Sequence, residues 1–260
     1  MEVHHHPHVE KKSFKEYLLE GLMIFLAVSM GFIAENIREN ITESHKAQEL
    51  AESLYQEVKS DSIIMQQKIS LRVKKAQQMV YLRNCVRDSS LDHLGSTFGK
   101  AMMWSYQFVS SILFEAQDGI LTQLRNSNSF KFYKSTELQN AIGNYSVSIN
   151  RVRIRNEQEY NVVDKFLRNE SIKHYDFAWQ EKVTNDGEIS ILQLINSDQI
   201  IEYPFEFQNK NLLNRSESAG IVAQYLLVLR GTTQLQYQGY VNANHELLSA
   251  LRKNYHLEKE

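Results

Sequence analysis

The sequence predicts a mainly α protein: an N-terminal transmembrane helix followed by a long-helix bundle domain, with little or no β-structure. Three observations carry this. Tyr17–Ala34, YLLEGLMIFLAVSMGFIA, is an 18-residue stretch in which Glu20 is the only charged side chain. Only two prolines, Pro7 and Pro204, interrupt the chain, and neither glycine nor proline occurs from Glu35 to Arg87, so long unbroken helices are expected. Apolar residues then recur at steps of three, four or seven, the spacing of one helical face.

The apolar stretch sets the domain organisation. At ~1.5 Å per residue its 18 residues reach roughly 27 Å, close to the thickness of a bilayer's hydrocarbon core. Two other readings compete. A core helix should carry a polar face, and Gly21–Ala34 carries none. A cleaved signal peptide should end in small residues beyond the apolar run, yet Ser29-Met30-Gly31 lies inside it and Phe32, Ile33 and Ala34 follow. An uncleaved signal anchor fits best. The expected division is a disordered cytoplasmic tail at 1–13, a transmembrane anchor at 14–38 and a helical domain at 39–260. Lys11, Lys12 and Lys15 precede the span, whereas Arg38 and Lys46 follow it. The positive-inside rule then favours a cytoplasmic N-terminus and a domain across the membrane, periplasmic in a Gram-negative bacterium.

Composition narrows the function classes. The net charge of −2, from 29 basic and 31 acidic residues, argues against nucleic acid as the main partner, which would need a basic face. One cysteine, Cys85, excludes an internal disulfide and reads as a plain buried thiol. His4, His5, His6 and His8 in the N-terminal tail have ligand chemistry, but a solvated tail is the simpler reading, and no metal or cofactor is expected.

After the anchor, Leu50, Leu54, Val58, Met65, Ile69, Val73, Ala76 and Val80 mark one face, with Glu49, Glu52, Glu57, Lys59, Lys68, Lys74 and Lys75 on the others. Gln66, Arg72 and Arg83 disturb a strict heptad, which favours core packing over a coiled coil. A helix unbroken from Tyr17 to Arg87 would be ~105 Å long, and Asn40-Ile41-Thr42 is a candidate bend. Asp88-Ser89-Ser90 and Gly95 signal a turn. A short helix follows near Leu91–Met103, then an aromatic knot of Trp104, Tyr106 and Phe108. Ser110 or Ser111 is the expected cap of the next helix, with Glu115 in its first turn, and Asn126–Ser129 its end. Ser135-Thr136-Glu137 restarts a helix whose stripe, Leu138, Ala141, Ile142, Tyr145, Ile149 and Val152, points to a run reaching about Leu167. Arg151, Arg153 and Arg155 with Glu157 and Glu159 read as a solvated face. Residues 171–214 are the least regular. Thr184–Gly187 is a turn, 188–195 is strand or helix by its pattern, and Pro204 sits in a loop with aromatic anchors. Asn214-Arg215-Ser216-Glu217 fits a capping box for the last helix.

Two segments carry a family resemblance: FKEYLLEGLMIFLAVSMGFIAENIRE (Phe14–Glu39) and FEAQDGILTQLRNSNSFKFYKSTELQNAIGNY (Phe114–Tyr145). The layout resembles uncharacterised single-pass membrane-anchored helical proteins of Gram-negative bacteria. In that family the second segment is a helix, a glycine-containing turn and another helix, whereas here Asn126–Ser129 holds no glycine. The family has no assigned activity, so the resemblance implies topology and fold.

No phosphate-binding loop, dinucleotide fingerprint, zinc-protease motif or nucleophile elbow occurs. His93 beside Asp92, and His174 near Asp176, lack an accompanying nucleophile. An enzyme is not expected. In the anchor, Glu20, Ile24, Ala27 and Gly31 share one face, and Ala27 with Gly31 is a small-xxx-small pair that lets helices approach closely. Glu20 either reaches the headgroups or meets another membrane helix. The expected function is a structural or interaction protein displaying a helical domain beyond the inner membrane, partnered by the bilayer and by itself or another envelope membrane protein. The alternative is a ligand-binding sensory module acting through a partner.

Overall fold

A computed structural model describes residues 13–126, 129–185, 190, 191, 193 and 203–257. The N-terminal histidines lie outside the described residues. So does most of 188–195, and with it the choice between strand and helix there. The described chain is 84% helical without strands, which bears out the predicted class. An isolated antiparallel bridge joins Leu94 to Phe205.

The chain divides into two compact units, residues 1–50 and 51–260, and α1 (Phe14–Asp88) supplies helix to both. Helical assignment is unbroken through Asn40–Thr42. In the first unit, Ser13 N–H donates to the Glu16 carboxylate at 2.8 Å, half of a capping box that satisfies a backbone donor at the helix start. Every large apolar side chain from Leu18 to Ile37 is at least half exposed, with Phe25 at 66% and Phe32 at 69%. Among the described residues, this is the one helix long and apolar enough to cross a membrane.

In the second unit the α1 face that packs inward runs Ala51, Val58, Met65, Arg72, Met79 and Val86 at seven-residue steps, with Leu54, Asp61, Lys75 and Leu82 between them, all buried. This corrects the expected stripe. Val73 is half exposed, while Lys75, expected on a polar face, and Arg72, expected to disturb the heptad, are core residues. Cys85 is half-buried.

Then come α2 (Ser96–Tyr106), α3 (Gly119–Asn126) and α4 (Thr136–Val162). A π turn over Val163–Leu167 carries α4 into α5 (Arg168–His174), and α6 is Phe177–Val183. A second π turn, Thr232–Tyr237, joins α7 (Arg215–Gly231) to α8 (Gln238–Tyr255). Glycines at 231 and 239 thus leave the last helical run continuous, as expected. The Asn214 side chain accepts from Glu217 N–H, so the predicted cap forms, and where a helix was expected to restart the Ser135 side chain caps it by accepting from Leu138 N–H. The Ser110/Ser111 cap does not form. Ser110–Ile112 is a single 3-10 turn and helix begins at Gly119, because the α1 carboxylates described below satisfy backbone donors there.

Aromatic packing closes the C-terminal end of the α1 segment. Phe205 lies 5.3 Å from Trp179 and 5.6 Å from Phe98, centroid to centroid, so the loop after Pro204 is held by its aromatic anchors. Gly99 makes this possible, since a Cβ there would lie 2.6 Å from the Trp179 ring.

Candidate functional site

The polar positions of the α1 seam organise the interior of the second unit. Asp61 is buried and accepts from Gln117 N–H at 3.0 Å, Tyr145 Oη at 3.1 Å and Tyr240 Oη at 3.0 Å. The two tyrosine oxygens are 2.6 Å apart. One turn earlier, Glu57 Oε2 accepts from Ile120 N–H at 3.2 Å. Burial pushes both carboxyls above their ordinary range, with the Gln117 and tyrosine hydrogen bonds opposing it at Asp61 and the Ile120 N–H opposing it at Glu57. These carboxylates receive donors at and before the start of α3, which no intrahelical acceptor reaches. Their role is to seat α3 on α1.

Three turns along, Arg72 bonds to residues of α4, α7 and the second π turn. Its Nε donates to Thr233 Oγ1 at 2.8 Å, and Nη2 to Glu159 Oε2 at 2.7 Å and to the Leu229 carbonyl at 3.0 Å. The guanidinium carbon sits 4.5 Å from the centre of the Tyr237 ring, a cation–π distance. Tyr225 Oη donates to the other Glu159 oxygen at 3.2 Å. The π turn places Thr233 and Tyr237 beside Arg72. It is one of the wider helical turns that often mark special sites. Glu159, expected on a solvated face, is therefore a core anion; its neighbours Arg153 and Arg155 bind Asp118 and Thr232 instead.

Lys75, also fully buried, donates to the carbonyls of Trp104 at 2.5 Å, Ser105 at 3.1 Å and Phe108 at 3.3 Å. It ties the C-terminal end of α2 to α1. Burial pushes its ammonium down to about 7; Glu159 resists the fall and Arg72 adds to it.

A cavity of about 250 Å³ opens beside Arg72. It is lined by Val73, Ala76 and Leu229 and by the polar residues Arg72, Gln77, Arg230, Thr233 and Gln234. The Nη1 atom of Arg72 is buried and has no hydrogen-bond partner among the described residues.

The face predicted for helix association, Glu20, Ile24, Ala27 and Gly31, lies on α1 in the first unit, and all four residues are exposed. A Cβ built on Gly31 meets no atom within 4 Å. The histidine pairs are structural. Asp92 pairs with Lys210 rather than His93. His174 Nδ1 is 3.0 Å from the Gln208 carbonyl, and Asp176 caps α6. Among the described residues no three His, Cys, Asp or Glu side chains are grouped to hold a metal.

Sequence reasoning missed Asp61, Arg72, Lys75 and Glu159. The available signal was the strict seven-residue step from Ala51 to Val86, which passes through Arg72. No family model, curated protein or solved structure matches the chain.

Proposed function

We propose that this is a single-pass membrane protein whose helix at 14–38 anchors a helical domain, residues 39–260, that works by interaction and not by catalysis. The supporting observation is the sleeve of large apolar side chains from Leu18 to Ile37, at least half exposed all round the helix. Exposure of that extent in water is costly at roughly 25 cal/mol per Å² of apolar surface, and a bilayer removes the cost. The lysines before the span support a cytoplasmic N-terminus and a periplasmic domain at a bacterial inner membrane. Partners in this reading are the bilayer and a second copy or another envelope membrane protein. Fusing a reporter active only in the periplasm to the C-terminus tests it. A signal is expected; silence there, with a cytoplasm-active reporter bright at the same site, overturns the orientation.

A second reading, a ligand-binding sensory module acting through a partner, is favoured by one observation. The cavity beside Arg72 combines the aliphatic Val73, Ala76 and Leu229 with the polar Gln77, Thr233, Gln234 and Arg230, a mixture found at small-molecule sites.

A further inference from the structure

We propose that the groove between α4 and α8 is a homodimer surface, on which a second copy of this chain packs about a two-fold axis with Arg151 of each copy against Glu246 of the other. This rests on the reading of the chain as an interaction protein and gives that reading a surface and a partner.

The last helical run lies antiparallel to α4. Arg155 reaches Thr232 at 3.1 Å, Tyr145 meets Tyr240 at 2.6 Å, and Lys253 pairs with Glu137 at 2.6 Å. A groove of about 500 Å³ runs between the two helices. Val147 and Arg151 line it from α4, Leu235 from the second π turn, and Gly239 and Glu246 from α8. Arg151 stands six residues beyond Tyr145, and Glu246 six residues beyond Tyr240. On antiparallel helices these equal steps lead in opposite directions, ~9 Å each. The groove therefore has a cation toward one end and an anion toward the other, evenly spaced about a middle marked by Gly239. A patch that meets its own copy through a two-fold axis must complement itself when turned by half a circle, and this charge order does so.

Neither charge is used within the chain. Both side chains are exposed, and among the described residues neither Arg151 nor Glu246 has an ion pair or a side-chain hydrogen bond. Their neighbours differ, since Arg153 binds Asp118 and Arg155 binds Thr232. At ~18 Å apart along the groove the two cannot pair with each other. Rotation of a second copy brings each onto its opposite. The groove also exposes apolar surface, with Val147 at 50% and Leu235 at 69%. Burying these side chains supplies favourable free energy, while the charges set register and exclude other arrangements. Gly239 leaves room at the middle for close approach, because a Cβ built there meets no atom within 4 Å. A second copy presents the inverse charge order at the same spacing, which favours it over an unrelated apolar segment.

The test measures the dimer dissociation constant of the full chain in detergent by analytical ultracentrifugation. All variants carry Gly31→Leu, so that association through the small residues of the anchor is weakened. Arg151→Glu and, separately, Glu246→Arg set like charges against each other, and the double reversal restores opposite charges in the inverse order. Dimerisation is expected, weakened at least about tenfold by either single reversal and returned by the double reversal to within about threefold of the parent. Leu235→Asp should also weaken it about tenfold, with no recovery from the double reversal. Either single reversal suffices, provided that its tryptophan-monitored urea midpoint matches the parent. A monomeric parent, a folded single reversal that dimerises as tightly as the parent, or a double reversal no tighter than the singles would each overturn the proposal. These results concern the groove alone. A monomeric chain that crosslinks to a different envelope protein in membranes would keep the interaction reading with another partner, and the C-terminal reporter decides the topology independently.

Discussion

Arg72 Nη2 and Glu159 Oε2 meet at 2.7 Å with neither side chain exposed to water. They come from α1 and α4, far apart in sequence, and Tyr225 satisfies the carboxylate oxygen that Arg72 does not reach. A buried ion pair of this kind gains attraction in a weak dielectric but pays heavily to leave water, so its net worth against apolar residues is small. Its larger effect is on register, since sliding α1 against α4 by one turn would strand two charges.

Breaking one half should therefore hurt more than removing both. Glu159→Leu leaves Arg72 and Lys75 buried without a carboxylate and is expected to cost ~3–5 kcal/mol. Adding Arg72→Met to it should restore much of that. Trp104 and Trp179, the chain's two tryptophans, are both buried in the second unit, so their fluorescence during urea unfolding of the full chain in detergent reports this unit. A double variant no more stable than Glu159→Leu alone would show that the pair is not coupled.

Lys75 predicts a pH dependence. Its folded pKa, about 7, lies below the ordinary lysine value of 10.5. Between those values the unfolded chain binds the extra proton, so stability should rise with pH across that window, by at most ~1.4 kcal/mol per unit. The groups facing it are Arg72, Glu159 and Tyr225. Glu57 and Asp61 have raised carboxyl values and act oppositely, losing stability as pH rises through their own more acidic window. Lys75→Met isolates the lysine. The parent's stability relative to this variant should climb from pH 7 to pH 10. A flat difference would mean that the carbonyls of Trp104, Ser105 and Phe108 hold the ammonium charged throughout.

The sequence disclosed helices better than it disclosed what they bury. The cap at Asn214 was legible because capping is a local exchange between one side chain and a nearby N–H. The stripe Leu138–Val152 was legible because it is apolar. The α1 seam was read correctly at Leu54, Val58 and Met65 but slipped by one residue beyond them, where it holds Arg72 and Lys75, because pattern reading sends charges to the surface. Whether a charge is buried depends on partners such as Glu159 and the Trp104 carbonyl, which local pattern does not reveal. The start of α3 failed for the same reason. Its donors are met by Glu57 and Asp61 from α1, where a local serine cap was expected.

Two glycines should respond oppositely to alanine. At Gly99 a Cβ would press the Trp179 ring at 2.6 Å, with Phe205 at 3.1 Å behind it. Neither ring has room to retreat in a packed core, so Gly99→Ala is expected to cost ~1–3 kcal/mol. Gly143 lies inside α4, exposed, with nothing within 4 Å of a built Cβ. Gly143→Ala should stabilise by ~0.4–1 kcal/mol through helix propensity. Urea midpoints of the two variants, measured side by side, check both signs.

The anchor gives the last prediction: the face holding Glu20, Ile24, Ala27 and Gly31 is a surface for association with another membrane helix. In lipid, apolar side chains gain nothing from leaving water, so helices associate through close packing and hydrogen bonds. Small residues at Ala27 and Gly31 let a second backbone approach, and a neighbouring helix can offer Glu20 partners that acyl chains lack. Gly31→Leu adds bulk where the helices would cross. A Cβ at that position meets no atom of the chain within 4 Å, so lost association would report a clash with the partner helix and not a defect within α1. Phe32→Leu, off that face, serves as the control. In a membrane association assay or crosslinking at matched expression, Gly31→Leu should lower the associated fraction and Phe32→Leu should leave it unchanged. If Gly31→Leu associates as strongly as the parent, the face points to lipid, Glu20 is interfacial, and contacts after Arg38 become the place to look for an oligomer.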